Sequence, residues 1–181
     1  MHLSTDFTLS EATKSGTALR CGIDNTPSPA QIEAMKYVAN AIAQPIRDYY
    51  GTPFAPNSWL RVEALEKAIC WGGNNEKSSF AKWCIRRGLE VNENSWPAYF
   101  ARKSHPSGEA IDIEVPGVPN IDLAYWCRGN LEFDQLILEF YNPDDPAGGW
   151  VHCSSRLDGQ NRGEVLTIGK RGTIHGIPEV T

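Results

Sequence analysis

The chain has 181 residues, with 22 acidic against 17 basic side chains and a formal charge of −5 at neutral pH. No basic run offsets that balance, which speaks against a nucleic-acid partner and gives no attraction to a polyanionic cell wall. The length suits one domain over 1–181, large enough for a real core, and requires no second. Five cysteines, Cys21, Cys70, Cys84, Cys127 and Cys153, form no CxxC pair, and their odd number cannot pair off completely. Free thiols in a reducing compartment are expected. Met1 to Asp6 lacks the charged and apolar regions of a secretory signal, and no run approaches the roughly twenty apolar residues of a membrane span. The expectation is a monomer made in the cytoplasm, with no membrane insertion.

In chain order, Leu9-Ser10-Glu11-Ala12-Thr13 reads as a short capped helix before a polar stretch ending at Asn25. From Ser28 the pattern is helical: Ser28 is the N-cap, Pro29 takes the first position, and Ile32, Met35, Val38, Ile42, Ile46 and Tyr49 recur at threes and fours until Gly51. Pro45 should kink this helix, at a cost of about 3 kcal/mol that packing must offset. Phe54 to Arg61 reads as a strand and turn, and Val62 to Ile69 as a shorter helix. Residues 70–103 hold Trp71, Trp83 and Trp96, a helix over Ser78 to Arg87, and a polar linker including Gly73, Asn74 and Asn75. Their tryptophans fit a satellite core better than the wall of a cleft.

Past this segment, His105 precedes the turn signal Pro106-Ser107-Gly108, and Ala110 to Val115 alternates as a strand ending at Pro116-Gly117. Asp112 and Glu114 share the face with Ala110, while Ile111, Ile113 and Val115 share the other, so Asp112 faces a cleft and the isoleucines the core. Pro119 to Asn130 predicts a helix capped by Asn120. Phe133 to Tyr141 and Trp150 to Ser154 predict an antiparallel hairpin across the long turn Asn142 to Gly149, with Glu139 on the face that carries His152. Arg162 to Ile168 predicts an edge strand, followed by an irregular tail. His2 and His175 are expected to be exposed and uninvolved. The sum is an α+β domain with a small antiparallel sheet packed against helices. His105, Asp112 after six intervening residues, and the distant His152 have the composition of a zinc site. Three protein ligands leave one position open for a reactive water.

The pattern Ser104-His105-x-x-Gly108-x-Ala110-x-Asp112-Ile113, then Trp150-Val151-His152, resembles the zinc D-alanyl-D-alanine carboxypeptidases and phage endolysins of the LAS metallopeptidases. The resemblance extends to Phe7 to Glu11, Asn57 to Arg61, Phe133 to Phe140 and Arg162 to Leu166, in family order. It leaves 70–103 as an insertion. It implies a hedgehog-like fold, Zn²⁺ held by His105, Asp112 and His152, and hydrolysis of a peptide bond in the peptidoglycan stem peptide. It also implies that Arg61 and Ser104 bind substrate, Arg61 through a bidentate carboxylate pair; a surface salt bridge is the competing role for Arg61. Several relatives place a catalytic glutamate three residues before the last histidine, where this chain has Gly149. Glu139 is therefore the candidate general base, with orientation of His152 as its alternative role. An endolysin or virion-associated wall hydrolase, released at lysis or carried by a virion, is the implied setting. A non-catalytic zinc-containing structural or tail protein and a cytoplasmic D,D-dipeptidase are the alternatives.

Overall fold

The computed structural model of the chain describes residues 1–72, 77–145, 148–170 and 172–179. Gly73, Asn74 and Asn75 of the predicted linker and part of the predicted 142–149 turn lie outside these residues. Two short helices open the chain, α1 (Leu9–Thr13) and α2 (Gly16–Cys21). At α1, Thr8 and Glu11 satisfy each other's backbone donors in a reciprocal capping box.

The long periodic run forms α3 (Pro29–Val38), a π-helical turn (Ala39–Ala43) and α4 (Gln44–Tyr50). Ser28 caps α3 as expected, with Gln31 closing the box. In place of a simple proline kink, the π turn sits directly before Pro45, and the Gln44 N–H reaches back to the Ala39 carbonyl. The missing donor is absorbed there by a change of hydrogen-bond register, while helix continues on both sides.

The remaining elements are α5 (Glu63–Cys70), α6 (Ser79–Ile85), α7 (Trp96–Phe100), a 3₁₀ turn (His105–Ser107), β1 (Ala110–Ile113), α8 (Asn120–Asn130), β2 (Gln135–Glu139), β3 (Trp150–Ser154), β4 (Glu164–Gly169) and β5 (Gly172–His175). They form a five-stranded sheet in the order β1-β3-β2-β4-β5, antiparallel except where β2 meets β4. The fold is α+β. One sheet face carries Ile111, Ile113, Leu136, Leu138, Val151 and Cys153, which pack in one core with Met35, Val38, Ile42 and Ile46 of the long helical run and Leu123 of α8. The period-2 alternation of each strand thus sends its aliphatic residues to the helices, and the polar residues of β1, β2 and β3 fall on the opposite face.

Several expectations are corrected. Phe54 to Arg61 contributes a single bridge, Ser58 to Asp112, and not a strand; Pro53 and Pro56 lack the N–H groups that a ladder needs. Asn120 is the first residue of α8, after Pro119 at the cap, and its side chain donates to the carbonyls of Gly148 and Gly149 instead. The strand beginning near Arg162 is not an edge: β4 lies between β2 and β5, and the supposedly irregular tail supplies β5. The 70–103 tryptophans do form a second small core, in which Trp71, Phe80, Trp83, Trp96 and Tyr99 are buried together. All five cysteines are free, four of them buried. Among the described residues no helix is long and apolar enough to cross a membrane.

The crossing from β3 to β4 is pinned by Asp134, which is 5% exposed and accepts hydrogen bonds from the Arg162 backbone N–H, Nε and Nη2. Arg162 holds this carboxyl below its ordinary value of 3.8. A depressed native pKa gives stability that is present above the unfolded pKa and disappears as pH falls through the native one. Urea unfolding of wild type and Asp134→Asn is expected to show a deficit for the variant that is full at neutral pH and shrinks on acidification below pH ~4.

Candidate metal centre

The polar face of the sheet brings two of the expected ligands together by register alone. Asp112 of β1 lies directly opposite His152 of β3, and Ile137 of β2 completes the rung on the other side. A directly opposed pair points to the same face with Cβ atoms about 5 Å apart. His152 Nδ1 accordingly lies 2.9 Å from Asp112 Oδ1. The third group arrives from the 3₁₀ turn, where His105 Nε2 lies 3.2 Å from the same oxygen. One ligand atom from each residue falls within 4.8 Å of the others, and the three residues are 6%, 3% and 6% exposed in chain order.

The turn is held in place from three sides. His105 Nδ1 lies 2.6 Å from the Trp59 carbonyl, the Arg61 N–H donates to the His105 carbonyl, and the Trp59 indole N–H donates to Gly108. On the other flank Gln31, already the capping partner of Ser28, donates through Nε2 to the Pro106 carbonyl at 2.8 Å. Gly108 has φ +83°, and a Cβ there would meet the Gln31 carbonyl at 2.9 Å and Met35 at 3.0 Å. Glycine is required both for the backbone conformation and for the close approach of α3. Glu109, a further carboxylate near the site, is spent on Ser107 and the Leu157 N–H, so it braces the segment after β3. Glu114 takes a hydrogen bond from Asn57.

This geometry orients the His105 ring. A carbonyl oxygen only accepts, so the Trp59 contact places a proton on His105 Nδ1 and turns Nε2 toward Asp112 Oδ1. Burial pushes His105 below its ordinary pKa. Although burial alone would raise Asp112, His105 and His152 outweigh it and hold its carboxyl well below the usual range. Nε2 of His105 and the carboxylate oxygen, 3.2 Å apart, need a cation or a shared proton between them. Two imidazole nitrogens and one carboxylate oxygen converging in this way fit a metal ion. The Nδ1–H of His105, anchored on a backbone carbonyl, is the outer hydrogen bond that commonly orients a ligating histidine.

The other predicted residues are placed differently. Glu139 shares the face of His152 but lies one rung further on, opposite Trp150, with Ile137 occupying the position directly across from the histidine. The expected side-by-side pairing is thus diagonal. Burial raises the pKa of Glu139, and the charge of His152 partly opposes the rise. Gly149 could not carry a glutamate: its φ is +80°, and a Cβ would run into the Glu139 carbonyl oxygen. Phe140, next to Glu139, has φ +55° and is the one non-glycine residue with positive φ among those described. Such strain at the end of a strand is kept only where surrounding contacts dictate it. Arg61 does not stand free to clamp a substrate. Its Nη2 donates to Asp112 Oδ2 at 2.5 Å and its Nε to Ser58 at 2.7 Å, which turns it into a brace for the carboxylate. Ser104 enters through its carbonyl, which accepts from Ser107 and from the Glu109 N–H. Sequence reasoning missed Glu66 and Lys103: Glu66 faces Arg61 on one side and Lys103 on the other. The available signal was a glutamate at the i−4 position to Cys70, on the same side of α5 as the buried face.

Comparison with family models finds none that matches the chain, and neither the curated proteins nor the solved structures give a match. The functional reading rests on the site itself. Bound metal stabilises a folded protein by mass action, about 2.7 kcal/mol at a hundredfold excess over Kd, or roughly 5–10 °C in a chain of this size. Thermal unfolding with Zn²⁺, Co²⁺ and Ni²⁺ is expected to show a rise of that order for wild type and none for His152→Ala.

Proposed function

We propose that the chain is a zinc metallopeptidase that hydrolyses a peptide bond in the peptidoglycan stem peptide, as a D-Ala-D-Ala carboxypeptidase or an L-Ala-D-Glu-type endopeptidase. The observation that carries this reading is the convergence of His105 Nε2, Asp112 Oδ1 and His152 Nδ1 on one buried point, with the half-buried Glu139 on the same sheet face. The N₂O donor set without thiolate suits Zn²⁺ in a site that keeps one position open. The resemblance of the segments around His105, Asp112 and His152 to the LAS peptidases supplies the substrate class.

When bound, zinc supplies a Lewis acid that polarises the scissile carbonyl and makes water a nucleophile at neutral pH. The protein's own residues do the rest. Glu139, kept basic by burial, takes a proton from the attacking water and returns it to the departing amine as the C–N bond breaks. One peptide and one water become a carboxylate and an amine. Arg61 fixes Asp112 through Oδ2 so that Oδ1 stays turned to the histidines. Ser104 is assigned to substrate binding by the same resemblance. A lysis enzyme or a virion-borne wall hydrolase is the setting this activity fits.

One observation favours a second reading. All three ligands are at least nine-tenths buried, which also suits a closed zinc centre that only stabilises a structural or tail protein. Mass spectrometry of purified peptidoglycan after incubation with zinc-loaded and chelator-stripped protein separates the two, with free D-Ala-D-Ala assayed alongside to detect a dipeptidase. New amino and carboxyl termini are expected with the loaded protein alone. Glu139→Gln is expected to lower the rate about 10²–10⁴-fold while retaining one zinc per chain. A folded, zinc-loaded wild type that releases no product from either substrate contradicts the peptidase reading.

A further inference from the structure

Glu66 has no exposed surface, yet it is not among the ligands of the centre. It sits on α5 where three parts of the chain meet. Its Oε1 accepts a hydrogen bond from the Cys70 thiol at 3.0 Å and lies 3.3 Å from the Lys103 ammonium. Its Oε2 has no hydrogen-bond partner among the described residues and faces Arg61 Nη1 at 3.7 Å. Arg61 in turn donates to Asp112. Alternating charges therefore run from Lys103 through Glu66 and Arg61 to Asp112, ending on the one anionic member of the ligand group.

The arrangement is a poor device for stability alone. A buried carboxylate oxygen without a hydrogen bond leaves desolvation uncompensated, and apolar packing often serves a fold as well as a buried ion pair does. Burial pushes the Glu66 carboxyl up, but Lys103, Cys70 and Arg61 outweigh it, so the group stays ionised. Its negative charge has a consequence at the centre. Arg61 touches Asp112 and Lys103 precedes His105 by two residues, so both bring positive charge toward a point that would receive a divalent cation, and unopposed they would repel it. Glu66 lies between them. Cys70 and Lys103 are also the two ends of the 70–103 insertion, so the same carboxylate ties both ends of the aromatic cluster to the centre.

We propose that Glu66 is a positioning residue for the metal centre: it opposes the charge of Arg61 and Lys103 and holds Arg61 against Asp112, keeping the His105–Asp112–His152 group favourable to a divalent cation. This inference rests on the metal reading of those three residues and adds the residue that sets their electrostatic surroundings.

The test is Zn²⁺ affinity of the full chain at neutral pH, measured by competition with a chromophoric chelator, for wild type, Glu66→Gln and Lys103→Met. Glu66→Gln is expected to bind roughly 10–100-fold more weakly, the range typical of outer hydrogen-bonding partners of metal sites. Lys103→Met, which removes a positive charge, is expected to bind as tightly as wild type or more tightly. A merely structural clamp would weaken binding in both variants. Folded Glu66→Gln with wild-type affinity, or equal weakening in both variants, overturns the proposal. If Glu66→Gln does not fold, Lys103→Met decides alone, and weaker binding than wild type overturns it. A wild type that takes up no Zn²⁺ overturns the metal reading itself, whereas wild-type binding with an unchanged Glu66→Gln removes only the role of Glu66.

Discussion

The site depends on one constraint: Asp112 and His152 are directly opposed across an antiparallel ladder, so their side chains are forced onto one face within hydrogen-bonding distance. A register slip of a single residue would send one of them into the aliphatic core. The slip is resisted because Ile111, Ile113, Val151 and Cys153, on the alternate positions, are completely buried among the helices. The apolar core thus holds the polar site in register without touching it.

His105 is the one member of the set that comes from a turn, and the fold restrains it heavily. Trp59 takes its Nδ1–H and braces Gly108, Gln31 reaches across to Pro106, and α3 packs too closely on Gly108 for any side chain there. Trp59 is itself 1% exposed and packs edge-on to Phe7 near the chain's start. The first sixty residues therefore act as a frame for one imidazole. Site geometry built on rigid, buried supports in this way loses little to rearrangement when a ligand binds.

Much of this was legible in the sequence because it was written in periodicities. The long helical run, the isoleucine and aspartate faces of β1, the β2–β3 hairpin and the second aromatic core follow from spacing and burial preference. The approach of His105 to Asp112 follows once a turn is placed between them, whereas His152 was joined to them by the resemblance to the LAS peptidases. What spacing does not encode is which residue stands opposite which. The diagonal position of Glu139 depends on hairpin register, which the long connection between Glu139 and Trp150 leaves undetermined. The parallel pairing of β4 with β2, and the addition of β5, depend on contacts distant in sequence. Arg61 read as a substrate clamp because its partners, Asp112 and Glu66, lie 51 residues further on and on the next helix. Pro45 read as a kink because a π turn has no pattern of its own in composition.

X-ray absorption at the zinc edge of protein loaded with one equivalent of Zn²⁺ tests the metal centre most directly. The predicted spectrum has only nitrogen and oxygen neighbours at about 2.0–2.2 Å, with the outer-shell scattering of two imidazoles. In His105→Ala one imidazole contribution should disappear. Sulfur neighbours at about 2.3 Å, or a spectrum unchanged by His105→Ala, would contradict the assignment of the centre to His105, Asp112 and His152.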